Sequence, residues 1–138
     1  MNNKIKVVLV DTQVNVRDCF RNVIEKERDI QVVAEVQDVA LYIQHADILK
    51  PEVFVLNMNF SSINIYHTIS YIIASIPDTK VLVVSFYSDS RFVLRMLYAG
   101  ASGYMLKDYA YEELALAIRT VVSDKTYISP GIAGIVKE

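Results

Sequence analysis

A chain of 138 residues, 53% hydrophobic and 22% charged, has the size and composition of one globular domain and lies far from the polar makeup of a disordered chain. Lysine and arginine number 14 against 16 aspartates and glutamates, so the net charge of -2 gives no general attraction to nucleic acid or anionic lipid, and this segment alone is not expected to bind DNA. The single cysteine, Cys19, excludes an internal disulfide.

The opening MNNKIKVVLVD runs without a secretory leader pattern into an apolar run, Ile5 to Val10, which predicts a first strand and a cytoplasmic location. Val16, Phe20, Val23 and Ile24 follow at helical spacing. Cys19 stands beside Phe20 there and is expected to be a buried structural thiol. Ile30 to Ala34 predicts a second strand, and residues 38 to 49 a second helix. His45 in that helix has no second histidine or cysteine at ligand spacing, and neither has His67 further on, so no metal site is expected. Pro51 precedes a third strand, Val53 to Leu56, and Ile65, Ile69, Ile72, Ile73 and Ile76 mark a third helix ended by Pro77. The outer side of that helix carries Tyr66, His67, Ser70, Tyr71 and Ala74 and no charge. The stretch from Val53 to Pro77 lacks Asp, Glu, Lys and Arg, yet Asn57, Asn59, Ser61, Ser62 and Asn64 interrupt it, so no membrane span is expected. A fourth strand, Val81 to Val84, leads to a helix over 89–98 capped by Asp89 and stopped at Gly100. A weaker fifth strand, Gly103 to Leu106, precedes a helix over 110–123. Strict alternation of strands and helices predicts an α/β fold with a parallel sheet covered on both faces.

Single polar residues end four of these strands: Asp11 with Thr12, Asn57, Ser85 and Lys107. In open parallel sheets ligands bind outside the carboxyl ends of the strands, so these side chains are expected to converge on one pocket; strands that simply reach solvent would read the same way.

The segments KIKVVLVDTQVNVRDCFRNVIEKERDIQVVAEV, PDTKVLVVSFYSDSRFVLRMLYAGASGYMLKD and DKTYISPGIA resemble the receiver domain of two-component response regulators, in the NarL/FixJ (LuxR-type) subfamily, over almost the whole chain. The resemblance implies a flavodoxin-like, doubly wound sheet of five parallel strands in the order 2-1-3-4-5, with residues 1–124 as the receiver. Residues 125–138 would be a trailing segment, the start of a linker toward a helix-turn-helix domain through which alone DNA would be bound. Carried over residue by residue, Lys107 matches the lysine that pairs with the phosphoryl group, Ser85 the hydroxyl that hydrogen-bonds it, and Tyr104 the aromatic switch. The acidic pair that ends the first strand in the family is here Asp11 and Thr12. The phosphoacceptor aspartate is replaced by Asn57.

An amide is not the nucleophile that phosphoryl transfer needs, and Thr12 and Asn57 are both neutral where the family ligates magnesium, so magnesium binding is expected to be weak or absent and no other cofactor is implied. The loop NFSSINIY lacks the family's usual proline and glycine, and Phe86 flanks access to the pocket. These departures point to a pseudo-receiver: a non-enzymatic regulatory module that signals without phosphorylation at Asn57. Its partner would be itself or another protein, met through the fourth helix, fifth strand and fifth helix, where Tyr98, Tyr109 and Tyr111 of the nine tyrosines are interface candidates. Two other readings stay open. Asn57 could be a substitution introduced into a phosphorylatable receiver, or the fold could serve a flavin or an enzyme, although DTQVNVRD lacks a phosphate-cradling loop.

Overall fold

Six short, largely apolar runs form one parallel sheet in a computed structural model that describes residues 4–11, 13–44, 50–57 and 64–132. Thr12, His45, residues 58–63 of the loop after Asn57, and the end of the trailing segment from 133 lie outside the described residues. The elements in chain order are β1 (Ile5–Val10), α1 (Val14–Ile24), β2 (Ile30–Val36), α2 (Val39–Ile43), β3 (Val53–Asn57), α3 (Asn64–Ser75), β4 (Lys80–Ser85), α4 (Ser90–Tyr98), β5 (Gly103–Leu106), α5 (Ala110–Val122) and β6 (Tyr127–Ile128). A 3-10 turn over Lys107–Tyr109 joins β5 to α5. The sheet order is β2-β1-β3-β4-β5-β6, the expected doubly wound order with one further strand at the β5 edge.

The central strands carry almost nothing but Val, Leu, Ile and Phe because both sheet faces are covered. On one face Val7, Leu9, Val55, Leu82 and Met105 pack against Phe20 and Ile24 of α1 and Leu114, Ile118 and Val121 of α5. On the other, Val8, Phe54, Leu56, Val83 and Tyr104 meet Ile65, Ile69 and Ile72 of α3 and Val93 and Met96 of α4. Each such side chain contributes about 1.5–3 kcal/mol when fully buried, so the alternation of faces along the strands holds the register.

Helix boundaries follow local chemistry. Asp89 caps α4 by accepting a hydrogen bond from the Arg91 amide at 2.8 Å. The same helix ends in a Schellman turn, in which the amides of Gly100 and Ala101 donate to the carbonyls of Leu97 and Met96 at 3.0 and 3.1 Å. Gly100 has φ +118°, a conformation that favours glycine, and a Cβ there would also force the terminal methyl of Ile73 on α3 to shift.

Three departures from the sequence reading have physical causes. The sixth strand was not expected, because two residues are too few to show a period. Cys19 is exposed, not buried: it sits 100° around α1 from Phe20, and it is Phe20 that turns inward. The second helix, expected over 38–49, covers Val39–Ile43 within the described residues, capped by Asp38. Along α3 the expected uncharged outer side is present, with His67, Ser70, Tyr71 and Ala74 exposed and Tyr66 half-buried against Phe92. Among the described residues no helix is long and apolar enough to cross a membrane.

Candidate functional site

Strand register builds the pocket. Val10 pairs with Leu56, so the next residues, Asp11 and Asn57, stand side by side at the carboxyl ends of β1 and β3. Asn57 pairs with Val84, which sets Ser85 one step beyond it on β4, and Ser85 pairs with Leu106, which sets Lys107 one step further on the far side. The four polar residues read from the sequence therefore share one edge of the sheet. Thr12, the remaining pocket candidate, lies outside the described residues.

The central contact is between Asp11 and Asn57. The Asn57 Nδ2 donates to Asp11 Oδ2 at 2.7 Å, while Asp11 Oδ1 accepts from the Gln13 amide at 2.8 Å. Only this orientation of the amide is favourable, because turning Oδ1 toward Asp11 would oppose two acceptors. Asp11 is 4% exposed, so its charge is held by these donors rather than by bulk water. The Asn57 Oδ1, turned the other way, is buried without a hydrogen-bond partner. Among the described residues no group of three or more His, Cys, Asp and Glu side chains could hold a metal ion.

Lys107 stands with its ammonium 4.8 Å above the centre of the Phe86 ring, a cation–π arrangement. Desolvation holds its pKa below that of an ordinary lysine, and the nearby negative charge of Asp11 works against that shift. Phe86, expected to flank access to the pocket, is itself 61% exposed and lies under this ammonium.

Ser85 is fully buried, and its hydroxyl accepts from the Tyr87 amide at 3.1 Å. Tyr104 is also fully buried, and its phenol donates to the Tyr87 carbonyl at 2.7 Å. Burial pushes the Tyr104 phenol up to about 12, partly offset by its hydrogen bond with Ser85. Tyr87, which the sequence reading passed over, thus ties both Ser85 and Tyr104 through its backbone. Its ring lies 5.3 Å from Phe92, which also meets Tyr104 at 6.0 Å and Tyr66 at 6.5 Å. Phe92 is the hub of an aromatic cluster joining α3, α4, β5 and the β4–α4 loop. No sequence periodicity marks such a cluster, since its members come from four elements.

The other tyrosines divide. Tyr98 on α4 is 88% exposed, and Tyr109 and Tyr111 are also exposed. Tyr111, however, leans toward α1, its ring 6.3 Å from that of Phe20, so it does not share a patch with the buried Tyr104.

The model of the response regulator receiver domain family matches residues 7–119. Over 137 residues the chain is 30% identical to the transcriptional regulatory protein DegU of Brevibacillus brevis, covering 99% of this chain and 58% of that one. It is 32% identical over 126 residues to the oxygen regulatory protein NreC of Staphylococcus epidermidis strain RP62A, covering 90% and 57%. The chain thus spans less than two thirds of the length of these relatives. A LuxR-family two-component response regulator from Aurantimonas sp. SI85-9A1 has a TM-score of 0.86 at 26% identity, with 97% of this chain and 96% of that one covered. The isolated REC domain of RcsB from Salmonella enterica serovar Typhimurium, in its apo form, shares the fold at a TM-score of 0.84 and 18% identity, with 98% and 100% covered. Because the family match begins in β1 and ends inside α5, it takes in all four pocket residues, and the chain belongs to the response regulator receiver domain family.

Proposed function

We propose that this receiver is a non-enzymatic regulatory module that works without phosphoryl transfer to position 57 and acts through protein–protein contacts. The observation that carries the reading is the 2.7 Å hydrogen bond from the Asn57 amide to Asp11. It gives the position of the family's nucleophile to a neutral donor, and it occupies one oxygen of Asp11, the one carboxylate at these strand ends among the described residues, while the Gln13 amide occupies the other. Magnesium prefers several hard anionic oxygens in octahedral array, and this donor set does not suit it. The expected result with a small phosphodonor and magnesium is an unchanged intact mass. A stoichiometric, acid-labile gain of one phosphoryl group would overturn the reading, and peptide mapping would identify the residue that accepted it.

Output then depends on a partner that prefers one state of the face formed by α4, β5 and α5, because only differential affinity shifts a conformational equilibrium. Tyr104 already lies inward, bonded to the Tyr87 carbonyl, which favours a face held in one arrangement. Arg91, Arg95 and Tyr98 are exposed along α4, and Asp108, Tyr109 and Glu112 are exposed where α5 begins. Opposite charges on two parts of one surface suit a two-fold pairing of copies, which sets one against the other. Regulation of transcription, by analogy with DegU, would pass through a DNA-binding domain outside this segment. Tyr98→Ala is expected to weaken self-association or partner binding several-fold in sedimentation while leaving the domain folded, since an exposed tyrosine adds little to the monomer's stability. Tyr111→Ala, on the α1 side, separates the two faces: if it alone has the effect, the contact runs through α1 and α5.

A further inference from the structure

The trailing residues 127–132 are built into the domain at the strand that carries Tyr104. Tyr127 and Ser129 donate their amides to the carbonyls of Ser102 and Tyr104 at 3.1 Å each, so β6 zips along β5. Ser129 is fully buried, and its hydroxyl accepts from the Leu106 amide at 2.9 Å, satisfying a donor just before Lys107. The Tyr127 phenol bonds the Glu113 carboxylate of α5, and burial together with that carboxylate raises its pKa. Gly103 lets the strands close: a Cβ there would lie 3.1 Å from the Tyr127 carbonyl and 2.9 Å from Leu82. Past Ser129 the chain turns, with the Ile132 amide donating to the Ser129 carbonyl at 3.0 Å. Ile132 is 2% exposed and belongs to the same apolar cluster as Tyr104 and Val83.

We infer that residues 127–132 form a clasp whose closure depends on the inward Tyr104 ring, so that the side chain beside the pocket and the path by which the chain leaves the domain share one equilibrium. The physical link is double. Tyr104 accepts the Ser129 amide through its carbonyl, and its side chain belongs to the apolar cluster in which Ile132 is buried. If the ring leaves that cluster, the packing around Ile132 loosens while Tyr127 keeps its bond to Glu113, so the opening is felt at Ser129 and Ile132. The pocket is joined to the same unit, because Leu106, held by Ser129, precedes Lys107. The coupling requires no modification of Asn57, so it stands or falls separately from the reading above.

Amide hydrogen exchange on the whole 138-residue chain tests it, with the Val8 and Leu9 amides of β1 reporting global opening. Tyr104→Ala is expected to speed exchange at Ser129 and Ile132 on the order of tenfold beyond any change at β1. Tyr104→Phe keeps the ring and is expected to leave the clasp amides near the parent rates. By reciprocity, Ser129→Ala should speed exchange at the Tyr87 amide as well as at Leu106. Tyr104→Leu, which keeps an apolar filling, carries the test with a smaller effect should the alanine variant not fold. The inference is overturned if the Tyr104 variants change Ser129 and Ile132 only as much as β1, or if Ser129→Ala leaves Tyr87 at the parent rate.

Discussion

Thr12→Asp combined with Asn57→Asp is expected to give a domain that binds magnesium and gains one acid-labile phosphoryl group from a small donor, where the parent does neither. The double change adds two carboxylates to Asp11 at the ends of β1 and β3. An ion pair at about 4 Å and an effective dielectric near 20 is worth about 4 kcal/mol per unit charge, and roughly double for a divalent ion. Desolvation removes much of that, yet even a fifth of it is more than tenfold in affinity. A carboxylate at position 57 then attacks the donor's phosphorus, the leaving group departs, and an acyl phosphate remains, with Lys107 on the far side of the pocket as countercharge. Titration calorimetry on the parent, both single variants and the double variant should show an affinity gain larger than the sum of the single effects, since each anion is useful only with the other in place. Similar magnesium affinity in all four proteins would mean that the pocket is misplaced.

Asn57→Asp alone, without divalent ions, is expected to destabilise the domain by about 1–3 kcal/mol at neutral pH. The substitution removes the amide donor that now binds Asp11 at 2.7 Å and sets two carboxyl groups in contact. Like charges at that distance do not both ionise, so the pair retains a proton above the ordinary carboxylate range. A folded-state pKa raised in this way contributes stability that is fully present below the unfolded carboxylate value and lost as pH rises through the raised one. The deficit against the parent should therefore be small near pH 4 and largest at neutrality, a window of about three units around these reference values. Urea midpoints measured across that window check it, and a variant as stable as the parent at neutral pH without metal would show that Asp11 and Asn57 are not in contact. This is also the sharper test of a once-phosphorylatable receiver, since such a pocket would accept the aspartate without penalty when magnesium is added.

The strand ends were legible because apolar runs stop abruptly at Asp11, Asn57, Ser85 and Lys107, and a parallel sheet sends all such ends to one edge. What one residue does to another across that edge was not. The Asn57–Asp11 bond depends on the β1–β3 register, which no single strand encodes. Tyr87 acts through its backbone amide and carbonyl, to which residue type gives no clue. Cys19 was misjudged because adjacency to Phe20 was read as shared burial, although neighbours on a helix face different ways. Tyr98 and Tyr111 were assigned to one face by the elements that carry them, whereas Tyr98 is exposed on α4 and Tyr111 leans toward Phe20 of α1.

The two-residue strand β6, with Ser129 after it, has a bearing on solubility. A sheet that stopped at β5 would present the Ser102 and Tyr104 carbonyls and the Leu106 amide in a row, beside the apolar Tyr104, Met105 and Leu106, which is a template for strand addition by another molecule. Tyr127 and Ser129 satisfy all three groups from within the chain, and beyond them Lys125 and Pro130 bracket the edge with a charge and a residue that offers no amide. A fragment cut at residue 124 would keep both hydrophobic layers' helices and lose this guard, leaving a sticky border on an otherwise folded domain.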